Sequence, residues 1–318
     1  MVHRGLCAFY ADHFVLPLPA GHRFPMAKYA WLRERIADRL PGVCIQEAPA
    51  ATDGQLLLAH DAAYVSAIID GSIDARIMKD IGFPWSAPMV ERSRRSVGAT
   101  VAALETAMTQ GAAVNLAGGT HHAHAAAGSG FCVFNDIAVA ARSLQQKEAA
   151  QGRRMDVLVI DLDVHQGDGT ATITAGDSSI FTLSLQGRDN YPFTRARSDL
   201  DVELPSGCTD ELYLQALQEA LVQVDRRFSA HAVVYVAGVD VHENDRLGRL
   251  GVTADGIARR DIMVFDWCLR RGLPVAMCMA GGYGKDLSAM VDIQVNSVSR
   301  LAQFQRQWLS LEQPAAGR

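Results

Sequence analysis

Val157-Leu-Val-Ile-Asp161-Leu-Asp163-Val-His165-Gln-Gly-Asp168 is an apolar run that passes directly into three acids and a histidine. The four residues Val157 to Ile160 read as a strand buried on both faces. Side chains alternate along a strand, so Asp161, Asp163 and His165 are expected to project from one side at its C-terminal end. Burying several ionisable groups together costs several kcal/mol each unless a metal or partner groups offset it. Two carboxylates and an imidazole in that position therefore point to a shared cation.

Outward from this stretch, strands and helices alternate. Upstream, Cys7 to Tyr10 reads as a strand, Asp12 to Phe24 as a loop, and Pro25 to about Leu40 as a helix with Tyr29, Leu32, Ile36 and Leu40 on its apolar stripe. A short strand (Val43 to Gln46), a helix (His60 to Asp70), an irregular Gly- and Pro-bearing loop (Gly71 to Pro88) and a long helix (Met89 to Gln110) follow. Then come strand Val114 to Leu116, a Gly- and His-rich loop to Gly130 and helix Phe134 to Gln151. Downstream are strand Ser179 to Leu185, helix Asp210 to Phe228, strand Ala232 to Ala237, helix Thr253 to Arg271, strand Pro274 to Met279 and helix Asp286 to Leu311. Such alternation implies parallel βαβ units with helices on both sheet faces, and ligands at the carboxyl ends of the strands. The expected fold class is α/β, one domain over residues 1–318, with a frayed tail after Glu312.

The composition allows this. A chain of 318 residues with 49% hydrophobic and 20% charged residues can bury a large core. A net charge of −5 gives no basic footprint for nucleic acid. The six cysteines form no CxxC pair, which argues against a Cys-rich zinc site or a disulfide framework and makes the reducing cytoplasm the expected location. Neither a secretory leader nor an apolar run of membrane-spanning length is read in the sequence.

Four unusual segments follow four of the expected strands: Gly118-Gly-Thr-His121-His122-Ala, Asp161 to Asp168, Ala237-Gly-Val-Asp240 and Ala280-Gly-Gly-Tyr283-Gly. Asp163, His165 and Asp240 make a three-ligand set that leaves positions open for water and substrate. A metal there would act as a Lewis acid on a carbonyl and acidify a water. His121 and His122 are candidates for proton transfer, each oriented by a carboxylate, Asp161 or Asp168. Tyr283, among glycines, could donate a hydrogen bond to a developing oxyanion. Taken singly, a DxD, an HH pair or a GGYG has an ordinary structural reading; their joint occurrence at four strand ends does not.

The chain resembles the histone deacetylase family in its broad sense, from about Ala8 to Val298, through GGTHHA, GSGFCVFND, DLDVHQGDG, AGVDVHENDRLG and GGYG. The DRLG at Asp245 to Gly248 and the short length look most like class IV deacetylases and their bacterial relatives. The resemblance implies the arginase/deacetylase fold, a three-layer α/β/α domain around an eight-stranded, mainly parallel sheet. It matches Asp163, His165 and Asp240 to the zinc ligands, a set that also suits ferrous iron. His121 and His122 match the tandem histidines, His122 as general base and acid; Asp161 and Asp168 match their carboxylate partners and Tyr283 the catalytic tyrosine. Phe131 and Tyr191, with Gly130 beside them, match the walls of a tunnel for an acyl-lysine stem. The resemblance further implies a structural monovalent cation, usually potassium, near Asp161, Asp163, His165, Ser184 and Leu185.

The expected activity is removal of acyl groups from acylated lysine in proteins or peptides; deacetylation of acetylpolyamine or another small acylated amine is the alternative. Polyamine-selective members carry a glutamate where this chain has Leu247, and an apolar residue there removes a carboxylate that would attract a distal ammonium. The outer contacts are less well matched, since His124-Ala-Ala-Ala127 replaces a more charged stretch and only Asp80 offers a counterpart to an acidic rim residue. An arginase-like ureohydrolase is disfavoured, because Gly167 and His242 stand where a second metal would need acids. A catalytically idle binder would have no use for the proton-transfer groups, and nicotinamide-dependent deacylation lacks a GxGxxG between strand and helix.

Overall fold

Within Val157–Asp161 the even-numbered Leu158 and Ile160 pack into one hydrophobic core and the odd-numbered Val157 and Val159 into a second. This is the two-residue period of a strand covered on both faces. Val233 and Tyr235 against Val234 and Val236, and Val275 and Met277 against Ala276 and Cys278, divide in the same way. Each buried Val, Leu, Ile or Met among them stabilises the fold by about 1.5–3 kcal/mol.

The protein is described by a computed structural model over residues 5–312, so the expected fraying after Glu312 lies outside the described residues. The strands are β1 (Cys7–Tyr10), β2 (Cys44–Glu47), β3 (Ala112–Asn115), β4 (Val157–Asp161), β5 (Ile180–Gly187), β6 (Leu200–Leu204), β7 (Ala232–Val236) and β8 (Val275–Cys278). They form one eight-stranded sheet in the order β2-β1-β3-β8-β7-β4-β5-β6, with parallel neighbours throughout. The helices are α1 (Ala27–Arg39), α2 (Asp53–Leu56), α3 (Ala62–Asp70), α4 (Ala75–Ile81), α5 (Ala87–Gln110), α6 (Asp136–Ala149), α7 (Asp168–Ile173), α8 (Asp210–Arg227), α9 (Ala254–Leu269) and α10 (Leu287–Glu312). Residues of α1, α8, α9 and α10 fill the first core and residues of α3, α5 and α6 the second, giving three layers. Among the described residues no helix is long and apolar enough to cross a membrane.

Three departures from expectation have physical causes. The span Gly71 to Pro88 contains α4, capped by the Asp74 side chain at its start and ended by Gly82 at φ 83°, so the glycines punctuate a helix rather than a loop. β6 escapes notice because it lies at the sheet edge, with Leu200, Val202 and Leu204 alternating against exposed Asp201 and Glu203. α7 begins at Asp168 itself, so that carboxylate stands in the helix's first turn, where the helix dipole favours an anion.

Candidate functional site

The sheet order makes β3, β8, β7 and β4 consecutive, so the four unusual segments leave adjacent strand ends. The ladder of β4 stops at Asp161, earlier than an extended DLDVH would suggest, with one further bond from Leu162 N–H to the Val236 carbonyl at 3.0 Å. Side-chain alternation nevertheless persists: Leu162 and Val164 enter the first core, while Asp163 and His165 turn toward a cavity of about 1070 Å³. Backbone donors fix the carboxylates. Gly281 N–H donates to Asp163 Oδ2 at 2.8 Å, His165 N–H to Asp163 Oδ1 at 2.9 Å and Val164 N–H to Asp240 Oδ1 at 2.9 Å.

Asp163, His165 and Asp240 are buried, and one ligand atom from each lies within 4.8 Å of the others, the one such group found among the described residues. His165 Nδ1 is 2.9 Å from Asp163 Oδ1 and 3.2 Å from Asp240 Oδ2, yet Asp240 Oδ2 has no hydrogen-bond partner. Burial and the neighbouring Asp163 charge push the Asp240 carboxyl up to about 7. Burial works against a charged His165, but the two carboxylates outweigh it and raise the imidazole to about 10. The trio thus holds an excess of negative charge and an orphaned carboxylate oxygen. An oxygen–nitrogen–oxygen donor set of that kind fits a divalent zinc or ferrous ion.

The histidine pair stands beside the trio, the two rings 4.2 Å apart. His121 Nδ1 donates to Asp161 Oδ2 at 2.8 Å and His122 Nδ1 to Asp168 Oδ1 at 2.6 Å. A neutral His122 thereby keeps Nε2 as an acceptor. Desolvation and the charge of His121 lower His122 to about 4; for His121 desolvation is overcome by Asp161 and Asp163, and it is raised to about 9. Two titratable neighbours whose surroundings drive them apart are suited to different proton roles. Tyr283 lines the same cavity, its hydroxyl held protonated by burial.

The loop before the pair is built by residues whose motif was legible but whose role was not. Asp136 accepts from Gly119 N–H at 3.0 Å and Thr120 N–H at 2.7 Å, and Asn135 Nδ2 donates to the carbonyls of Ala123 and His121. Gly118 has φ 75°, and a side chain there would strike Asn115 and Asp136. Gly130 (φ 54°) lets the wall close onto the His122 ring, and Phe131 follows at φ 68°. Their amides donate to the carbonyls of Asp80 and Ile81 at the end of α4, which holds Phe131 in a conformation rare for an aromatic residue. Phe131 stacks on Phe83, 5.4 Å between centroids, and Tyr191 meets His122 edge-on at 4.9 Å. Leu247 and the exposed Asp80 line the outer part of the cavity. Ser184 pairs with Asp161 across β4 and β5, and its buried Oγ has no partner; Leu185 is wholly buried beside it.

Four residues near the site have contacts that no strand-end spacing reveals. Lys28 is 1% exposed without a carboxylate partner; its Nζ donates to the carbonyls of Ala280 and Gly282 and lies 5.3 Å from the Tyr283 ring centroid. Asp245 accepts from Tyr283 N–H at 2.6 Å. Arg260, fully buried, donates to the Gly238 carbonyl at 2.5 Å and the Leu162 carbonyl at 3.4 Å, behind the ligand segments. His124 Nε2 reaches the second oxygen of Asp168 at 3.2 Å.

Residues 22–298 match the family described as Histone deacetylase domain. The chain is 42% identical over 291 residues to an uncharacterized protein of Picosynechococcus sp., covering 90% of this chain and 95% of that one. It is 34% identical over 254 residues to histone deacetylase 2 of Arabidopsis thaliana, covering 77% of this chain but only 65% of the plant protein. The crystal structure of a histone deacetylase homologue from Aquifex aeolicus shares the fold, with a TM-score of 0.81 at 22% identity over 96% of this chain and 89% of the other.

Proposed function

The chain belongs to the histone deacetylase family, and from that premise we propose that it is a metal-dependent hydrolase of N-acyl amides, acting on acyl-lysine in peptides or proteins. The observation that carries this reading is a single cavity lined by the ligand trio, a histidine pair with each member backed by its own carboxylate, and Tyr283. Asp163, His165 and Asp240 would hold zinc or ferrous iron, which when bound supplies Lewis acidity toward the acyl carbonyl and toward a water. His122, neutral and hydrogen-bonded through Nδ1, takes a proton from the attacking water at Nε2 and passes one to the departing amine. His121, with Asp161 behind it, contributes positive charge beside the reacting carbonyl. Tyr283 donates a hydrogen bond to the oxyanion as it forms. Gly130, Phe131 and Tyr191 wall the acyl-lysine stem, and Leu247 stands at the opening.

A structural potassium near Asp161, Asp163, His165, Ser184 and Leu185 is part of the same reading, supported by the partnerless Ser184 Oγ beside Asp161. The reading takes residues 1–318 as one catalytic domain working in the cytoplasm. It is tested by kcat/KM of purified, zinc-loaded protein on acetyl-, decanoyl- and myristoyl-lysine peptides, with acetylspermidine and acetylputrescine alongside. An acyl-lysine among the best substrates is expected, and its chain length then defines the acyl preference. Faster turnover of the small amines would replace peptide by polyamine as substrate, and no turnover by folded, metal-loaded protein would refute the hydrolase reading.

A further inference from the structure

Six exposed charged residues line the opening of the cavity, four basic and two acidic: Arg23, Lys79, Arg246 and Arg249 against Asp80 and Asp189. None of the four cations has an ion-pair partner among the described residues, although other surface arginines do, as Arg188 and Arg195 do with Glu203. The opening is therefore positive by two on a chain whose net charge is −5. The residues come from separate parts of the fold: Arg23 precedes α1, Lys79 and Asp80 end α4, Asp189 follows β5, and Arg246 and Arg249 follow β7. Arg246 is tethered, its Nε donating to the Tyr283 carbonyl at 2.9 Å, which leaves the two terminal nitrogens of the guanidinium without an acceptor among the described residues. Leu247 is tethered too, its carbonyl accepting from Asn190 Nδ2 at 2.9 Å. Asp189, one of the two acids, already accepts from Ser206 Oγ.

A concave opening with a net excess of one sign focuses its field and selects approaching charge. We propose that the physiological substrate is an acyl-lysine flanked by acidic residues, whose carboxylates pair with the cations at the opening while the acyl-lysine stem enters between Phe131 and Tyr191. This rests on the acyl-lysine hydrolase reading and narrows it. The same opening repels polycations, so it disfavours free acetylpolyamines and lysine-rich peptide tails alike.

The test compares three acyl-lysine peptides that differ only in carrying Glu, Ala or Lys at the two positions on either side of the modified lysine. At low ionic strength kcat/KM is expected to rank Glu above Ala above Lys, with roughly three- to tenfold between neighbours, carried by KM rather than kcat. At about 0.5 M salt the ranking should collapse, because exposed charges are then screened within a few ångströms. The double variant Lys79→Glu, Arg249→Glu should invert the Glu-to-Lys ratio; since this is a ratio within one protein preparation, any general loss of activity cancels. Equal kcat/KM for the three peptides at low salt would overturn the proposal, as would a ranking insensitive to both salt and the double variant. Should no peptide turn over, the hydrolase reading fails on its own, while Kd values for the same three peptides, by fluorescence anisotropy, still decide the charge preference.

Discussion

Two clusters of buried charge share a wall of the sheet and differ in one respect. Behind the strand ends, Arg260 is bonded to Asp261, whose other donors are the Tyr235 hydroxyl at 2.6 Å and the Ser297 hydroxyl at 2.5 Å. In front, Asp163, His165 and Asp240 bring two carboxylates to one imidazole and leave Asp240 Oδ2 with no donor. Asp163 and Asp240 are as deeply buried as Arg260 and Asp261. Burial of charge therefore does not by itself mark a functional site, nor does a missing partner, since Arg260 Nη2 also makes no hydrogen bond; an excess of one sign of charge does, because it is costly unless a counter-ion arrives. The Arg260 cluster balances its own charge and braces the carbonyls of Leu162 and Gly238, in the segments that carry the unbalanced cluster.

The widest separation between the two should come from removing one charged side chain in each. Asp163→Ala is expected to abolish metal binding and lower kcat/KM by at least about a thousandfold, given the several kcal/mol of transition-state stabilisation a bound metal contributes. In metal-free protein the same change should also lower stability, by about 1–3 kcal/mol, since it takes the acceptor from the buried N–H groups of Gly281 and His165. Metal content by elemental analysis and denaturant unfolding read both halves; full metal occupancy in the variant would remove Asp163 from the ligand set. Arg260→Met should differ in metal content, costing about 3–5 kcal/mol of stability by leaving Asp261 buried and without its cation but keeping the metal in whatever protein remains folded. An unfolding free energy equal to that of the parent would end the structural reading of that pair.

Tyr283→Phe deletes a hydroxyl from the unbalanced side without touching a ligand. It should lower kcat by about 10²–10³ with little change in KM, as expected of a donor engaged mainly in the transition state. Steady-state kinetics on the best acyl-lysine peptide decide this, and an unaltered kcat would take the tyrosine out of the chemistry.

What could be read ahead of the structure follows the same division. The ligand trio, the histidine pair and Tyr283 each sit within a few residues of a strand end, so local pattern and the parallel-sheet rule sufficed to bring them together. Lys28 was hidden because in sequence it is one polar position beside the apolar stripe of α1. Its burial depends on carbonyls more than 250 residues away in the chain. Arg260 is concealed in α9 for the same reason, a helical period giving a face but not what the rest of the chain lays over it. The glycines and prolines around α4 read as loop, yet its last carbonyls hold Gly130 and Phe131, so this wall of the cavity is legible as residues and not as a structure with a support.

His60 offers a smaller and more specific contrast, a buried titratable group that is fully satisfied while neutral. Its Nε2 accepts from Asn135 N–H at 2.9 Å, so Nδ1 is the nitrogen that donates to the His124 carbonyl at 3.0 Å. Burial lowers it to about 4, against 6.5 for an ordinary histidine. Between those values the unfolded chain binds a proton that the folded protein refuses, so stability is intact above about pH 6.5 and is lost as pH falls toward 4, in all by about 3 kcal/mol. His60→Gln keeps a donor and an acceptor but has no such proton. Denaturant unfolding of parent and variant between pH 4 and 7 should show the slopes differing by about one proton, and identical slopes would reassign the titration elsewhere.

The smallest effect is expected at His124, which sits at the border between the satisfied and the unsatisfied. Asp168 gives one oxygen to His122 and the other to His124, and the Thr172 hydroxyl, already donating to the Asp168 carbonyl, lies 2.8 Å from His124 Nδ1. The contact from His124 Nε2 to Asp168 lies at the edge of the site. The side chain is 35% exposed, so water can replace it and salt screens it. His124→Ala should therefore lower kcat only about two- to threefold and leave metal content untouched, whereas His124→Gln, which can still donate to Asp168, should restore most of the loss. A loss as deep as that of Tyr283→Phe would instead move His124 into the proton-transfer machinery and make Asp168 the hub of three groups rather than the support of one.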